Sequence, residues 1–277
     1  MIKPLMPHPA ALLKTDNTTI LVITDLHIGW EMALADSGIH VPTQTPKLLK
    51  KLKAIVEHYK PDELLIIGDV KHTVATAELS EWQDIPDFFN EVKKCVNRIQ
   101  IVPGNHDGNL EPLLPEGVEL LPSTGIAKDG IGFFHGHRWP SIEMLNCKIL
   151  VMGHVHPIIS LRDPAGFKIT RQVWVRTNVE RIKFAEAIAS KYGIKPQYTR
   201  EAFSKLGIKP RTSKLFIMPS FNDFLGGKPL NESDETANKD EILGPVLRTE
   251  AVKMSEAEIY LLDGTFLGTL NQLKLYT

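Results

Sequence analysis

The stretch Ile20-Leu-Val-Ile-Thr-Asp-Leu-His27 decides how this chain is read. Its first four residues are an unbroken aliphatic run, the pattern of a strand buried on both faces. The run passes directly into an acid, Asp25, and an imidazole, His27, at i and i+2, which point to one side of an extended chain. The same order recurs. Glu63-Leu-Leu-Ile-Ile67 leads into Gly68-Asp69-Val-Lys-His72, and residues 98–102 lead into Pro103-Gly-Asn105-His106-Asp107. Two later runs, residues 130–134 and 148–152, end in His135-Gly-His137 and Gly153-His154-Val-His156. Apolar runs that stop at polar clusters predict strands delivering side chains to one sheet edge, where α/β proteins bind their ligands.

Around these runs the chain alternates strand and helix. Residues 10–14 pair with the first run through a turn at Asp16-Asn17. A helix over 45–60 opens on Thr45-Pro46 and carries Leu48, Leu49, Leu52, Ile55 and Val56 on one stripe. A second helix over 78–96 is expected to break or kink at Pro86. Residues 158–162 and 167–175 read as a hairpin about Asp163-Pro-Ala-Gly166. Residues 215–218 and 258–270, the latter turning at Asp263-Gly264, supply the last strands. Two packed sheets with outer helices is the simplest assembly.

Two segments differ in composition. Residues 176–214 carry ten Lys or Arg against three Glu and read as a basic helical insertion. Its two short helices close on similar words, Lys191-Tyr-Gly-Ile-Lys-Pro196 and Lys205-Leu-Gly-Ile-Lys-Pro210, where glycine supplies a left-handed cap and proline prevents continuation. Residues 228–245 read as an acidic loop insertion, with five acids against Lys239 between 231 and 241. The whole of 1–277 is otherwise one domain.

The chain has 277 residues, 43% hydrophobic and 23% charged, too apolar for a disordered chain and too polar for a membrane protein. Thirty-two basic against 33 acidic residues give a net charge of -1. That near-neutrality averages a basic segment against an acidic one, so it does not exclude a polyanion. Two cysteines exclude a disulfide framework or a thiolate zinc site and predict a cytoplasmic location. Prolines interrupt the N-terminal apolar residues, and no run approaches the roughly 18 needed to span a bilayer, so no membrane partner is expected. A homo-oligomer is compatible with the sequence and not specified by it.

Seven of the ten histidines lie in the strand-end clusters. Asp25, His27, Asp69, Asn105, His135, His154 and His156 form a mixed nitrogen and oxygen donor set. It suits Mn²⁺ first, with Fe, Zn²⁺ or Ni²⁺ as alternatives, and suits Ca²⁺ poorly. Seven donors are too many for one ion and right for two divalent metal ions that share a carboxylate. A pair about 3.5–4 Å apart is the arrangement used for in-line displacement at phosphorus.

These clusters, in this order, resemble the signature of the calcineurin-like metallophosphoesterase superfamily over most of residues 20–220. The resemblance implies a four-layered α/β/β/α sandwich of two mixed sheets. It implies that Asp25, His27, Asp69 and His156 hold one metal. Asp69 then bridges to a second, held with Asn105, His135 and His154. A hydroxide between the ions would attack phosphorus while His106 stabilises the transition state or protonates the leaving oxygen. The wording Phe134-His-Gly-His-Arg-Trp-Pro140, Pro219-Ser-Phe-Asn-Asp-Phe-Leu-Gly-Gly227 and Tyr260-Leu-Leu-Asp-Gly264 is similar to the ICC-like subgroup. Some bacterial members of that subgroup are linked with DNA ligase and a helicase.

One departure is informative. Many members have an Asp three residues after the bridging one, where this chain has His72, and the Asp-Arg-Gly continuation of the protein serine/threonine phosphatases is missing. A histidine there also occurs in double-strand-break repair nucleases, so His72 joins His106 as a catalytic candidate. Asp107, His137 and Arg138 are expected behind the ligands or facing the substrate. The expected activity is a metal-dependent phosphoester hydrolase acting on phosphodiesters, with DNA or RNA the leading partner. The basic segment reads as solvated helical faces, with a clamp beside the metals that grips a polyanion as the functional alternative. A phosphomonoesterase or nucleotide hydrolase is the alternative. A non-catalytic interaction scaffold is the remaining one, and it typically lacks the histidine that His106 supplies.

Overall fold

A strand covered on both faces must divide its alternate residues between two cores, and the apolar runs do so. The computed structural model describes every residue except 36–37, 75–76, 164, 233–242 and 275–277. One sheet contains, in spatial order, β1 (Ile2–Pro4), β2 (Ala11–Lys14), β3 (Thr19–Ile23), β4 (Glu63–Ile66), β5 (Arg98–Ile101) and β6 (Val118–Leu120). From β3 to β6 the pairing is parallel, while β1 and β2 are added antiparallel.

The second sheet is built from β7 (Ile126–Lys128), β8 (Ile131–Phe133), β9 (Ile149–Met152), β10 (Ile158–Arg162), β11 (Lys168–Asn178), β12 (Lys214–Ile217), β13 (Glu258–Leu261) and β14 (Phe266–Thr269). Its order is β14-β13-β11-β12-β9-β8-β7, with β10 on β11. Pairing is parallel across β8, β9 and β12 and antiparallel elsewhere, so both sheets are mixed.

Ile20 and Val22 of β3, Leu65 of β4, Val151 of β9 and Trp174 of β11 meet in the core between the sheets. Their neighbours Leu21, Ile23, Leu64 and Ile66 face the other way, against α2 (Thr45–Tyr59) and α3 (Leu79–Val92) through Leu52, Ile55, Phe88 and Phe89. On the second sheet Leu150, Met152, Val173, Val175, Leu215 and Ile217 pack outward on α4 (Arg181–Lys191) and α5 (Thr199–Lys205) through Phe184, Ile188 and Phe203. The layers therefore run helix, sheet, sheet, helix, as the sequence predicts.

Several local expectations change. α3 runs unbroken through Pro86; proline removes one backbone donor, and the Ile85, Phe88 and Phe89 stripe holds the helix on the sheet regardless. The run at 130–134 is one arm of a hairpin with β7, turning at Asp129 and Gly130, both at positive φ. Residues 176–178 belong to β11, so the basic segment begins inside the sheet. Gly193 and Gly207 take φ of +75° and +67°, the left-handed caps that the repeated words predict. Residues 233–242, which hold most of the acidic loop, lie outside the described residues. Among the described residues no helix is long and apolar enough to cross a membrane.

Candidate metal centre

Every polar cluster follows the carboxyl end of a parallel strand. Asp25 and His27 follow β3, Asp69 and His72 follow β4, and Asn105, His106 and Asp107 follow β5. On the second sheet His135 follows β8, and His154 and His156 follow β9. The loops stay paired beyond the sheet: the amides of Asp25 and His27 donate to the Gly68 and Asp69 carbonyls at 3.0 and 2.9 Å, and Gly153 donates to His135 at 3.0 Å. The chain after β12 joins them, with the Phe221 amide donating to Thr24 and the Asn222 side chain to the Leu26 carbonyl.

Asp25, His27, Asp69, His154 and His156 all adopt positive φ, between 43° and 71°. Such a conformation is costly for residues with a Cβ and persists only where the surroundings impose it. The residues between these positions still face the cores, Leu26 against α2 and α3 and Val155 on the outer side of the second sheet. Gly104 and Gly68 make room: a Cβ on the first would collide with the Asp69 carboxylate, and one on the second with the His135 ring.

The side chains meet in two groups that share Asp69. Asp25, His27, Asp69 and His156 form one, and Asp69, His135 and His154 the other, with donor atoms in each group within 4.8 Å of one another. Asp69 Oδ2 lies 3.4 Å from His27 Nε2 and 3.1 Å from His135 Nε2, one imidazole from each group. Asp25 Oδ1 lies 3.3 Å from His156 Nε2. These three Nε2 atoms are buried and have no hydrogen-bond partner. Buried polar atoms without partners are costly, and here they converge on carboxylates, the pattern expected where a cation supplies the missing partner. The donor set fits a divalent metal.

The surroundings orient these donors. His135 Nδ1 donates to the Ile67 carbonyl at 2.8 Å, which leaves Nε2 facing Asp69. Asp69 Oδ1 accepts from the His106 amide at 2.9 Å. Thr24 Oγ1 lies 2.9 Å from Asp25 Oδ2. The Asp107 carboxylate accepts from the amides of Val70 and Gly104, both at 2.8 Å. It thereby ties the loop after β4 to the loop after β5.

Protein charges alone polarise the cluster. Burial opposes ionisation of Asp69, but His135 and His27 outweigh it and hold the carboxyl well below its usual range. Burial likewise pulls His135 down, and the charges of Asp69 and Asp25 push it up to about 9. His154 goes the other way, to about 4, through burial and the nearby His135.

The remaining expected residues divide. His27, His72 and His106 form a third group of imidazoles. His106 stands edge-on to His27 with ring centres 4.6 Å apart, and its Nδ1 is held by the His72 carbonyl. The His72 ring is held neutral, at about 4, by burial and by His27. His137 Nε2 accepts from Arg138 Nε at 2.8 Å, and burial holds this ring at about 3. Arg138 is exposed and also donates to Ser123. Asn105 is exposed, between Gly104 and His106, which both touch Asp69. Its side chain makes no hydrogen bond among the described residues. Sequence reasoning missed Thr24, Asn222 and Glu81. Only Glu81 had a local signal, the capping pattern Glu78-Leu-Ser-Glu81, which says nothing of its reach to residues 72–73.

The family model for the calcineurin-like phosphoesterases matches residues 18–185. No curated protein matches. Among solved structures, the chain is similar to the Pseudomonas putida nuclease MPE at 17% identity and a TM-score of 0.52, covering 96% of this chain and 100% of that one. It is also similar to Yfce, a phosphoesterase from E. coli, at 18% identity and a TM-score of 0.33, covering 52% of this chain and 73% of that one.

Proposed function

The chain belongs to the calcineurin-like phosphoesterase family, and from that premise we propose that it is a phosphodiesterase using two divalent cations, Mn²⁺ by preference, with nucleic acid as its substrate class. The observation that carries this reading is the pair of donor groups sharing Asp69, with three buried imidazole nitrogens turned toward carboxylates. Divalent cations bound there supply positive charge to the phosphoryl oxygens and the leaving oxygen.

The chain's own residues do the rest. Asp69 would be common to both ions, Asp25, His27 and His156 would complete one site, and Asn105, His135 and His154 the other. Because the His72 carbonyl occupies Nδ1 of His106, Nε2 is the atom free to give a proton to the leaving oxygen as the ester bond breaks. The ring, an imidazolium while it carries that proton, becomes neutral on giving it up and keeps its Nδ1 proton on the His72 carbonyl. His72 itself is too far toward the neutral form to share that task at neutral pH. Arg138, exposed beside His137, would meet a phosphate oxygen with the guanidinium N–H groups that His137 and Ser123 do not use.

A nucleic-acid substrate is supported by the ICC-like wording and by the fold shared with a nuclease. Lys191 and Lys195 add to it, because they flank Tyr192, whose hydroxyl donates to the Pro140 carbonyl beside the His135 loop. The test is a Mn²⁺-loaded assay comparing an aryl phosphodiester, the matching monoester, and single- and double-stranded DNA. Diester and DNA cleavage is expected to exceed monoester cleavage, and a strict monoester preference would overturn the reading. His106→Ala should keep its metals and lose about 10²–10⁴-fold in kcat.

A further inference from the structure

The Glu81 carboxylate is completely buried on α3, away from the proposed metal ligands, and it accepts three backbone hydrogen bonds. Its Oε1 takes the amides of His72 (3.0 Å) and Thr73 (2.9 Å), and its Oε2 takes the amide of Glu78 (3.0 Å). The His72 amide also points to the Ile28 carbonyl at 3.0 Å. On the other side of the same loop, buried Lys71 donates its ammonium to the carbonyls of Thr73 and Val74. Two buried opposite charges thus grip a single turn of backbone. The His72 carbonyl, between those grips, holds His106 Nδ1.

We propose that Glu81 is a positioning residue for His106, fixing the His72 carbonyl that orients the imidazole; this rests on the phosphoesterase reading above. A charge-assisted hydrogen bond from each of two successive amides leaves the peptide plane between them little freedom. That peptide's carbonyl is the one His106 uses. A helix therefore sets the direction of a proton donor on another loop, without touching it or the metal ligands.

The test is a cycle of Glu81→Gln, His106→Ala and the double variant. Gln is nearly isosteric but turns an amide NH₂ toward backbone donors, so one grip is lost while the volume is kept. Expected in the Mn²⁺-loaded enzyme on an aryl phosphodiester are a fall of about tenfold in kcat, a KM within about twofold, and unchanged metal content. In the His106→Ala background the same change should cost less than about twofold, because the residue it acts through is gone. An equal tenfold loss in both backgrounds overturns the proposal in favour of general loosening.

A second readout needs no turnover. In Zn²⁺-loaded protein the His106 Nδ1 proton should give a hydrogen-bonded NMR resonance that shifts and exchanges faster in Glu81→Gln. A resonance identical in both proteins overturns the positioning role. An inactive wild type would instead count against the phosphoesterase reading. Should Glu81→Gln fold poorly, Glu81→Asp keeps the charge, withdraws the carboxylate by one methylene, and is expected to give the same pattern.

Discussion

Asp69 is the side chain on which both donor groups depend, because its Oδ2 faces an imidazole of each while its Oδ1 holds the His106 amide. Asp69→Ala is therefore expected to lose both metals together, read as metal content by elemental analysis, with turnover at background. A variant that kept one equivalent would show the groups to be independent. The same carboxylate controls a proton. His135 is raised to about 9 by Asp69 and Asp25, so between its ordinary 6.5 and 9 the metal-free folded chain holds a proton that the unfolded chain has released. That stabilisation is complete below pH 6.5 and is lost as the pH rises through 9. A cation at Nε2 must displace the proton, so loading should release protons at pH 7 and tighten toward pH 9. Calorimetry in two buffers of different ionisation heat measures this, and a heat independent of buffer contradicts it. The identity of these acids and imidazoles was readable from sequence because strand ends converge in α/β sheets. Their left-handed backbone was not, since nothing local to Asp25, His27 or His156 favours positive φ; the surrounding loops impose it.

At the scale of elements, β3, β4 and β9 were readable because four consecutive apolar residues leave few alternatives. β1, β6 and β7 were missed, and each has three residues, too few to show a period. α1 (Glu31–Ala35) was missed for the same reason, at five residues. Pro86 misled in the other direction, because the rule that proline breaks helices weighs the lost hydrogen bond and not the apolar stripe that α3 buries. The loop after β4 shows what pattern reading omits. Gly68, at φ +98°, lies against the His135 ring, so the strand ending depends on a close approach between two sheets that are distant in sequence. Gly68→Ala combines a disfavoured backbone with a collision at that ring. It should lower stability by about 1–3 kcal/mol and reduce metal content at sub-saturating Mn²⁺. A urea midpoint and metal content both equal to wild type would show that the ring moves aside freely.

Over the whole molecule, the charge of the 176–214 segment divides among ion pairs, one cavity and the end of α4. Lys183 and Lys205 are committed to Glu180 and Glu201, and Arg176 to Glu258. Arg181 and Arg211 join Lys148 around a cavity of about 380 Å³. Lys148 immediately precedes β9 and Arg211 lies just before β12, so this cavity is at the amino ends of the parallel strands whose carboxyl ends carry the imidazoles. A four-residue strand, roughly 13 Å long, separates the two edges. Lys191 ends α4 and Lys195 follows it by four residues, on either side of Tyr192, whose hydroxyl reaches the Pro140 carbonyl. If DNA is cleaved at the metal centre, the second pair is the one on the edge that meets its phosphates. Lys191→Gln with Lys195→Gln is then expected to weaken DNA binding and to make log Kd against log salt shallower by up to about 2, close to 0.9 for each B-DNA phosphate that is no longer neutralised. Arg181→Gln with Arg211→Gln removes the same charge from the same segment and should leave the slope unchanged. Fluorescence titrations across 50–200 mM salt, with a catalytically silent His106→Ala background to prevent cleavage, compare the two pairs. The reverse result, a slope set by Arg181 and Arg211, would place the nucleic acid on the edge away from the imidazoles, where the metal centre could not cut it.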